Sequence, residues 1–133
     1  MGDYGDAGKG VDPLGKVQAY QLAMTATRLA RSDARALGRD VLTREAGGQL
    51  LRATASIAAN IAEGYSRGTP ADRRKFFEYA LGSVRESLVW YETADISERE
   101  EREQRLVSIR RLLLTMIRNS RASTAADNKK FVG

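Results

Sequence analysis

Gln49, Arg52, Ser56, Asn60 and Glu63 recur at spacings of three, four, four and three residues. On a helix turning 100° per residue all five fall within about ±40° of one line. Amides, a hydroxyl and two opposite charges on one ribbon suit hydrogen bonding and ion pairing. Two basic groups offer a second chemistry, the binding of phosphates. Arg67, Arg73, Arg74 and Lys75 lie close together in sequence, and Arg110, Arg111, Arg118 and Arg121 share one side of a helix turn pattern. From Gln104 to Ala126 there is no acidic residue to offset them.

The chain has no histidine and no cysteine. Thiolate nucleophiles, imidazole acid–base catalysis, disulfides and Cys/His metal sites are therefore excluded. Di-iron bundle enzymes need Glu-x-x-His pairs, and Gly47-Gly48 is not followed by the Gly-Lys-Ser/Thr of a phosphate loop. The acidic run Glu98, Glu100, Glu101 and Glu103 reads as helix-dipole and capping chemistry. The expectation is a non-enzyme with no cofactor and no metal.

Four helical segments must position these groups. The first residues, with Gly2, Gly5, Gly8 and Gly10, lack periodicity, and 1–12 reads as a flexible lead-in. Ala19, Leu22, Ala23, Ala26, Leu29 and Ala30 form one helical stripe, predicting a first helix over Leu14–Arg31. The polar stretch Ser32–Asp40 reads as a connection. A second helix is predicted to begin near Thr43 and to stop at Gly64–Gly68. Thr69-Pro70-Ala71-Asp72 opens a third, with Thr69 as cap and Pro70 at the first helical position. Its stripe is Phe77, Leu81, Val84, Leu88 and Tyr91. Ser97 with Glu100 forms a capping-box pattern for a fourth, whose stripe is Leu106, Ile109, Leu113 and Met116. After Arg121 the sequence reads as a flexible tail, 122–133. The 133 residues thus predict a single all-α domain over 13–121, an antiparallel up-down-up-down four-helix bundle.

The second helix is unusual, because outside its polar ribbon it is apolar or small: Leu50, Leu51, Ala53, Ala55, Ile57, Ala58, Ala59 and Ile61. An ordinary surface helix shows a broad charged face. The ribbon therefore reads as a structural polar network within the subunit, as a subunit interface, or as a solvated strip. If it is buried, Arg52 and Glu63 must be paired.

The stretch Gln49-Leu50-Leu51-Arg52-Ala53-Thr54-Ala55-Ser56-Ile57-Ala58-Ala59-Asn60-Ile61-Ala62-Glu63-Gly64, followed by Gly82-Ser83-Val84-Arg85-Glu86, resembles the S23-like four-helix-bundle family encoded within 23S rRNA intervening sequences. Leu51 stands where a second arginine is usual and Ala58 where proline is usual. The resemblance implies a ring-shaped homo-oligomer, a pentamer above other states. It adds Ser83 and Glu86 to the polar network or interface. It also implies distant similarity to accessory proteins of diversity-generating retroelements.

The formal charge is +5 and the isoelectric point near 9.8, and the second half of the chain carries most of the excess. Five copies would gather that charge into a field that attracts polyanions. Aromatic residues are few and most fall in or beside the core stripes, so the sequence offers no stacking platform for single strands. RRM, KH and zinc-finger signatures are absent. The reading is an RNA- or DNA-binding oligomer that works through phosphates with low sequence specificity. The alternative is an oligomeric adaptor for a nucleic-acid enzyme such as a reverse transcriptase. No run approaches the length of a membrane span and the start lacks a signal peptide's apolar core, so a cytoplasmic protein without membrane contact is expected.

Overall fold

The computed structural model describes the backbone of residues 12–132 and the side chains of residues 12–126. Apart from Asp12, the expected lead-in lies outside the described residues. A 3-10 turn, Pro13–Lys16, is capped by Asp12, whose side chain accepts from the Leu14 amide at 2.9 Å. Val17 is extended and redirects the chain into α1, Gln18–Leu37.

The first helix therefore starts later than predicted and runs well past Arg31. The expected connection from Ser32 is helical through Leu37 because the buried stripe Ala19, Ala23, Ala26 and Ala30 continues through Asp33 and Leu37. A carboxylate on that line is tolerated because it is fully partnered, as described below. Gly38 ends the helix, its amide returning to the Ala34 carbonyl at 2.9 Å.

The second helix, α2, spans Arg44–Tyr65. Thr43 precedes it but makes no side-chain cap; its hydroxyl donates to the Leu37 carbonyl and ties the turn to α1. At Gly47 an added Cβ would stand 2.9 Å from the Ala34 carbonyl oxygen, so the two backbones approach as closely as they do only because this position has no side chain. At the other end of α2, a Cβ on Gly64 would meet the Phe77 ring at 2.7 Å.

The third helix, α3, spans Pro70–Thr93 and begins as predicted, with Thr69 Oγ1 accepting from the Asp72 amide at 3.1 Å. The fourth, α4, spans Arg99–Val132. The Ser97–Glu100 capping box does not form. A turn from Ile96 to the Arg99 amide occupies that backbone, and Ser97 Oγ donates to Glu98 instead. The tail expected after Arg121 is helical to Val132. Ala122, Ala125 and Ala126 have high helix propensity, and neither glycine nor proline interrupts before Gly133.

Hydrogen bonds and close approaches fix the helix directions. Gly47 abuts Ala34, Ser56 meets Ser83, and Arg74 reaches Thr124, so each helix runs antiparallel to the one before it. Each packs on its predecessor, and α1 meets α4 along a shorter stretch to close the bundle. The core is filled by Leu50, Ile57, Ile61, Val84, Ile109 and Leu113, all fully buried. Each contributes on the order of 1.5–3 kcal/mol through removal of apolar surface from water. Ile117, not Met116, completes the inner line of α4, and Met116 is half-buried. Among the described residues no helix is long and apolar enough to cross a membrane.

Candidate nucleic-acid interface

The middle of the polar ribbon of α2 borders its seam with α3. Ser56 and Ser83 share a hydrogen bond of 2.6 Å, and Asn60 Nδ2 donates to the Ser56 carbonyl at 2.9 Å and hydroxyl at 3.2 Å. Deeper in the seam, Thr54 is paired with Ser87. The rest of the ribbon does not join this network. Arg52 is exposed and donates to Gln49 one turn away. Glu63 pairs with Arg67 at 2.6 Å, both side chains more than 40% exposed. Glu86, exposed on α3, accepts from the Trp90 indole at 3.3 Å. Arg52 and Glu63 are thus neither buried nor paired with each other.

The buried charge of the fold sits elsewhere, at the end of the bundle where α1 stops and α4 starts. Asp33, 4% exposed, accepts from the Tyr91 hydroxyl at 2.6 Å and from Arg102 Nε at 2.8 Å. Burial, reinforced by the Asp33 carboxylate, raises the Tyr91 phenol far above its usual range. The hydrogen bond to Asp33 likewise raises Arg102, which stays charged. Arg102 and Arg105 both hold Glu101, and the Arg102 bond is the larger reason its carboxyl titrates below the ordinary value. A cleft of about 550 Å³ opens beside this cluster and is lined by Asp33, Asp40, Asp95, Glu98 and Arg102 among others. Such a lining does not suit a phosphate. The sequence reading missed this network, although Asp33 lies on the alanine stripe, one turn beyond Ala30.

At the opposite end the first basic cluster meets the end of the second. Because α3 starts where α4 ends, Arg74 reaches Thr124 and Arg121 pairs with Glu78 at 3.1 Å. Arg67, Arg74, Lys75 and Arg121 therefore share one end of the bundle, against Glu63, Asp72 and Glu78, while the same register sets Arg118 level with Ala80 and Leu81, midway along α3. Arg73 belongs to the same end but spends its guanidinium on the Arg67 carbonyl at 2.9 Å, which braces the α2–α3 turn. Arg118 is exposed and, among the described residues, pairs with no carboxylate. Arg110 and Arg111 lie further back along α4. Arg111 points away from the α3 seam, beside Gln18 and Leu22 of α1. The same register sets Arg85 of α3, exposed and absent from the sequence-predicted set, level with Leu114 between Arg110 and Arg118.

Aromatic placement also departs from expectation. Tyr79 is 51% exposed and Tyr65 is 41% exposed. Phe76 packs edge-to-face with Tyr79 at 5.6 Å between ring centroids, and the Arg67 guanidinium lies 4.8 Å from the Phe76 centroid. Tyr79 stands two residues from core Phe77, which on a helix turns it about 200° away from the core.

Comparison with known proteins agrees with this architecture. A solved structure of a protein of unknown function from the S23 ribosomal protein family of Bacteroides thetaiotaomicron superposes with a TM-score of 0.70 at 23% identity. The match covers 74% of this chain and 97% of that one. No curated protein matches. The sequence model of the 23S rRNA-intervening sequence protein family matches residues 16–114, which takes in all of α1, α2 and α3 and leaves Arg118 and Arg121 beyond the match. The chain belongs to the 23S rRNA-intervening sequence protein family.

Proposed function

We propose that this chain is a non-enzymatic, basic homo-oligomer that binds RNA or DNA through phosphate contacts with low sequence specificity. One observation carries the reading: the antiparallel register gathers Arg67, Arg74, Lys75 and Arg121 at one end of the bundle, with Arg118 exposed one turn further back along α4, while the acidic cleft faces the other end. Cations gathered on one surface focus the field that phosphates feel. The outward arc of α2 supports assembly. Gly48, Ala55 and Ala59 are exposed there and carry no charge, so a second copy can approach closely.

The test is fluorescence anisotropy with labelled RNA and duplex DNA as salt is raised. Binding is expected at 50 mM salt and falls steeply with ionic strength, because each neutralised phosphate releases counterions. The triple variant Arg74→Glu, Arg118→Glu, Arg121→Glu is expected to lose at least about tenfold in affinity and to flatten the salt dependence. Undiminished binding by that variant overturns the placement, and no binding by the unaltered protein overturns the function.

A second reading, an adaptor for a nucleic-acid enzyme such as a reverse transcriptase, draws on Val41 and Leu42 in the α1–α2 turn. They are 73% and 86% exposed at the end away from the basic cluster. A partner protein retained by the chain and lost on Leu42→Asp favours it.

A further inference from the structure

We infer that the basic end takes a single strand rather than a duplex, with one base stacked on Tyr79 and the adjoining phosphates held by Lys75 and Arg67. The inference rests on the nucleic-acid reading above and names the form of ligand that this end accepts.

Around the first turns of α3, steps of about 100° per residue set Glu78, Lys75, Tyr79 and Phe76 in order from the α4 flank to the α2 flank. Arg121 stands at the first flank, on Glu78. Arg67 stands at the second, over the Phe76 ring, and Lys75 Nζ lies 5.8 Å from the same ring centroid. Across the outer face of α3 the order is Arg121 on Glu78, Lys75, the Tyr79–Phe76 ring pair and Arg67, so cation, aromatic pair and cation alternate from Lys75 onward. This alternation is what a strand with splayed bases requires: a positive track for the backbone and a π-face for a base. Duplex DNA keeps its bases stacked inside and offers no open π-face to such a surface, so the Tyr79 ring has nothing to stack on.

The ring is prepared for this role. Phe76 braces Tyr79 edge-to-face, while half of the Tyr79 side chain remains open. Arg67 is already oriented, since Glu63 Oε1 accepts from its Nη2 at 2.6 Å while the guanidinium lies over Phe76. The Glu63 carboxylate occupies the place on Arg67 that a phosphate oxygen takes. Because the pair is exposed and such pairs hold weakly, phosphate can displace it. Beyond the ring, Ser83, Ser56 and Asn60 continue the seam with hydrogen-bonding groups, so the polar ribbon and the aromatic step form one line along α2 and α3.

The experiment compares 12-nucleotide oligo-U, oligo-dT and a duplex of equal length by fluorescence anisotropy at low salt, with the full chain. Tyr79→Ala is expected to weaken single-strand binding about tenfold, with duplex binding within about twofold of the unaltered protein. Tyr79→Phe keeps the ring and restores affinity. Glu63→Gln frees Arg67 and is expected to tighten single-strand binding by up to about fivefold. Circular dichroism is expected to show the helices intact in each variant, since both positions are half-exposed. Single-strand binding that ignores Tyr79→Ala, or falls in parallel with duplex binding, overturns the stacking step and leaves the phosphate reading in place. Absence of binding to all three probes removes both. Oligo-U and oligo-dT distinguish RNA from DNA, since a stacked base and its phosphates are shared by both.

Discussion

Arg102 donates from Nε to Asp33 at 2.8 Å across 69 residues of sequence, clamping the end of α1 to the start of α4. Asp33 is buried and the Arg102 side chain is only 13% exposed, so each charge depends on the other for its solvation. Removing one partner of such a pair leaves the other stranded and costs about 3–5 kcal/mol. Asp33→Ala is therefore expected to destabilise the fold by roughly 3 kcal/mol in urea denaturation. Asp33→Leu with Arg102→Met and Tyr91→Phe, which removes both charges and the hydroxyl that Asp33 accepts from, is expected to recover much of the loss. A triple variant as unstable as the single one contradicts the clamp.

The same cluster gives stability a dependence on pH at both extremes. Glu101 titrates below its ordinary value in the folded chain because Arg102 and Arg105 hold it. A depressed carboxyl contributes stability above its unfolded value, near 4.5, and loses it as pH falls through the lower folded value. Tyr91 is raised, chiefly by burial and then by Asp33. Its contribution is complete below the ordinary value of 10.0 and declines above it, where the unfolded chain ionises and the folded one does not. Thermal unfolding is expected to show Glu101→Gln flattening the acid limb and Tyr91→Phe flattening the alkaline limb.

Two glycines in one helix make opposite predictions. A Cβ at Gly64 would lie 2.7 Å from Phe77 Cε1 and 3.1 Å from the Arg73 carbonyl, so Gly64→Ala forces α2 and α3 apart. Overpacking of this kind costs about 1–3 kcal/mol. At Gly48 nothing lies within 4 Å, and the residue is exposed within α2. Gly48→Ala is expected to stabilise by up to about 1 kcal/mol through helix propensity alone. Chemical denaturation of the two variants should shift the midpoint in opposite directions.

What the sequence makes legible here is what depends on near neighbours. Thr69-Pro70 marks the start of α3 because cap and fixed φ act within one turn, and spacing gives the stripe of α3 and that of α4 as far as Leu113, beyond which Ile117 rather than Met116 faces inward. Asp33 looked like part of a polar connection because the groups that neutralise it, Tyr91 and Arg102, lie 58 and 69 residues away. The helical run after Arg121 was hidden because Ala122, Ala125 and Ala126 show high propensity without a core stripe. The approach of Arg121 to the first basic cluster was available in principle, since antiparallel order sets the start of α3 beside the end of α4. The exposure of Tyr79 was available too, from its phase relative to Phe77. Ser56 of the ribbon meets Ser83, whereas Arg52 and Glu63 face solvent in the single chain because α3 covers only the flank of α2 that carries Ser56.

That uncovered side of α2 yields the last prediction. Ala55 and Ala59 are exposed on the middle turns of the helix, and Gly48 extends the same arc. Arg52, the cation on that arc, is held back along the helix by Gln49. Uncharged small side chains there allow another helix to approach closely, and a long charged side chain prevents it. If α2 forms the contact between copies, Ala59→Arg separates them without disturbing the core, because the substituted side chain projects into solvent in the separate chain. Light scattering coupled to size exclusion is expected to show the unaltered protein as a multiple of 14.6 kDa, with five copies favoured, and Ala59→Arg near the mass of one chain. A multimer that survives Ala59→Arg moves the contact off this face, and an unaltered protein that elutes as one chain removes the assembly, leaving each basic end to act with its own charge alone.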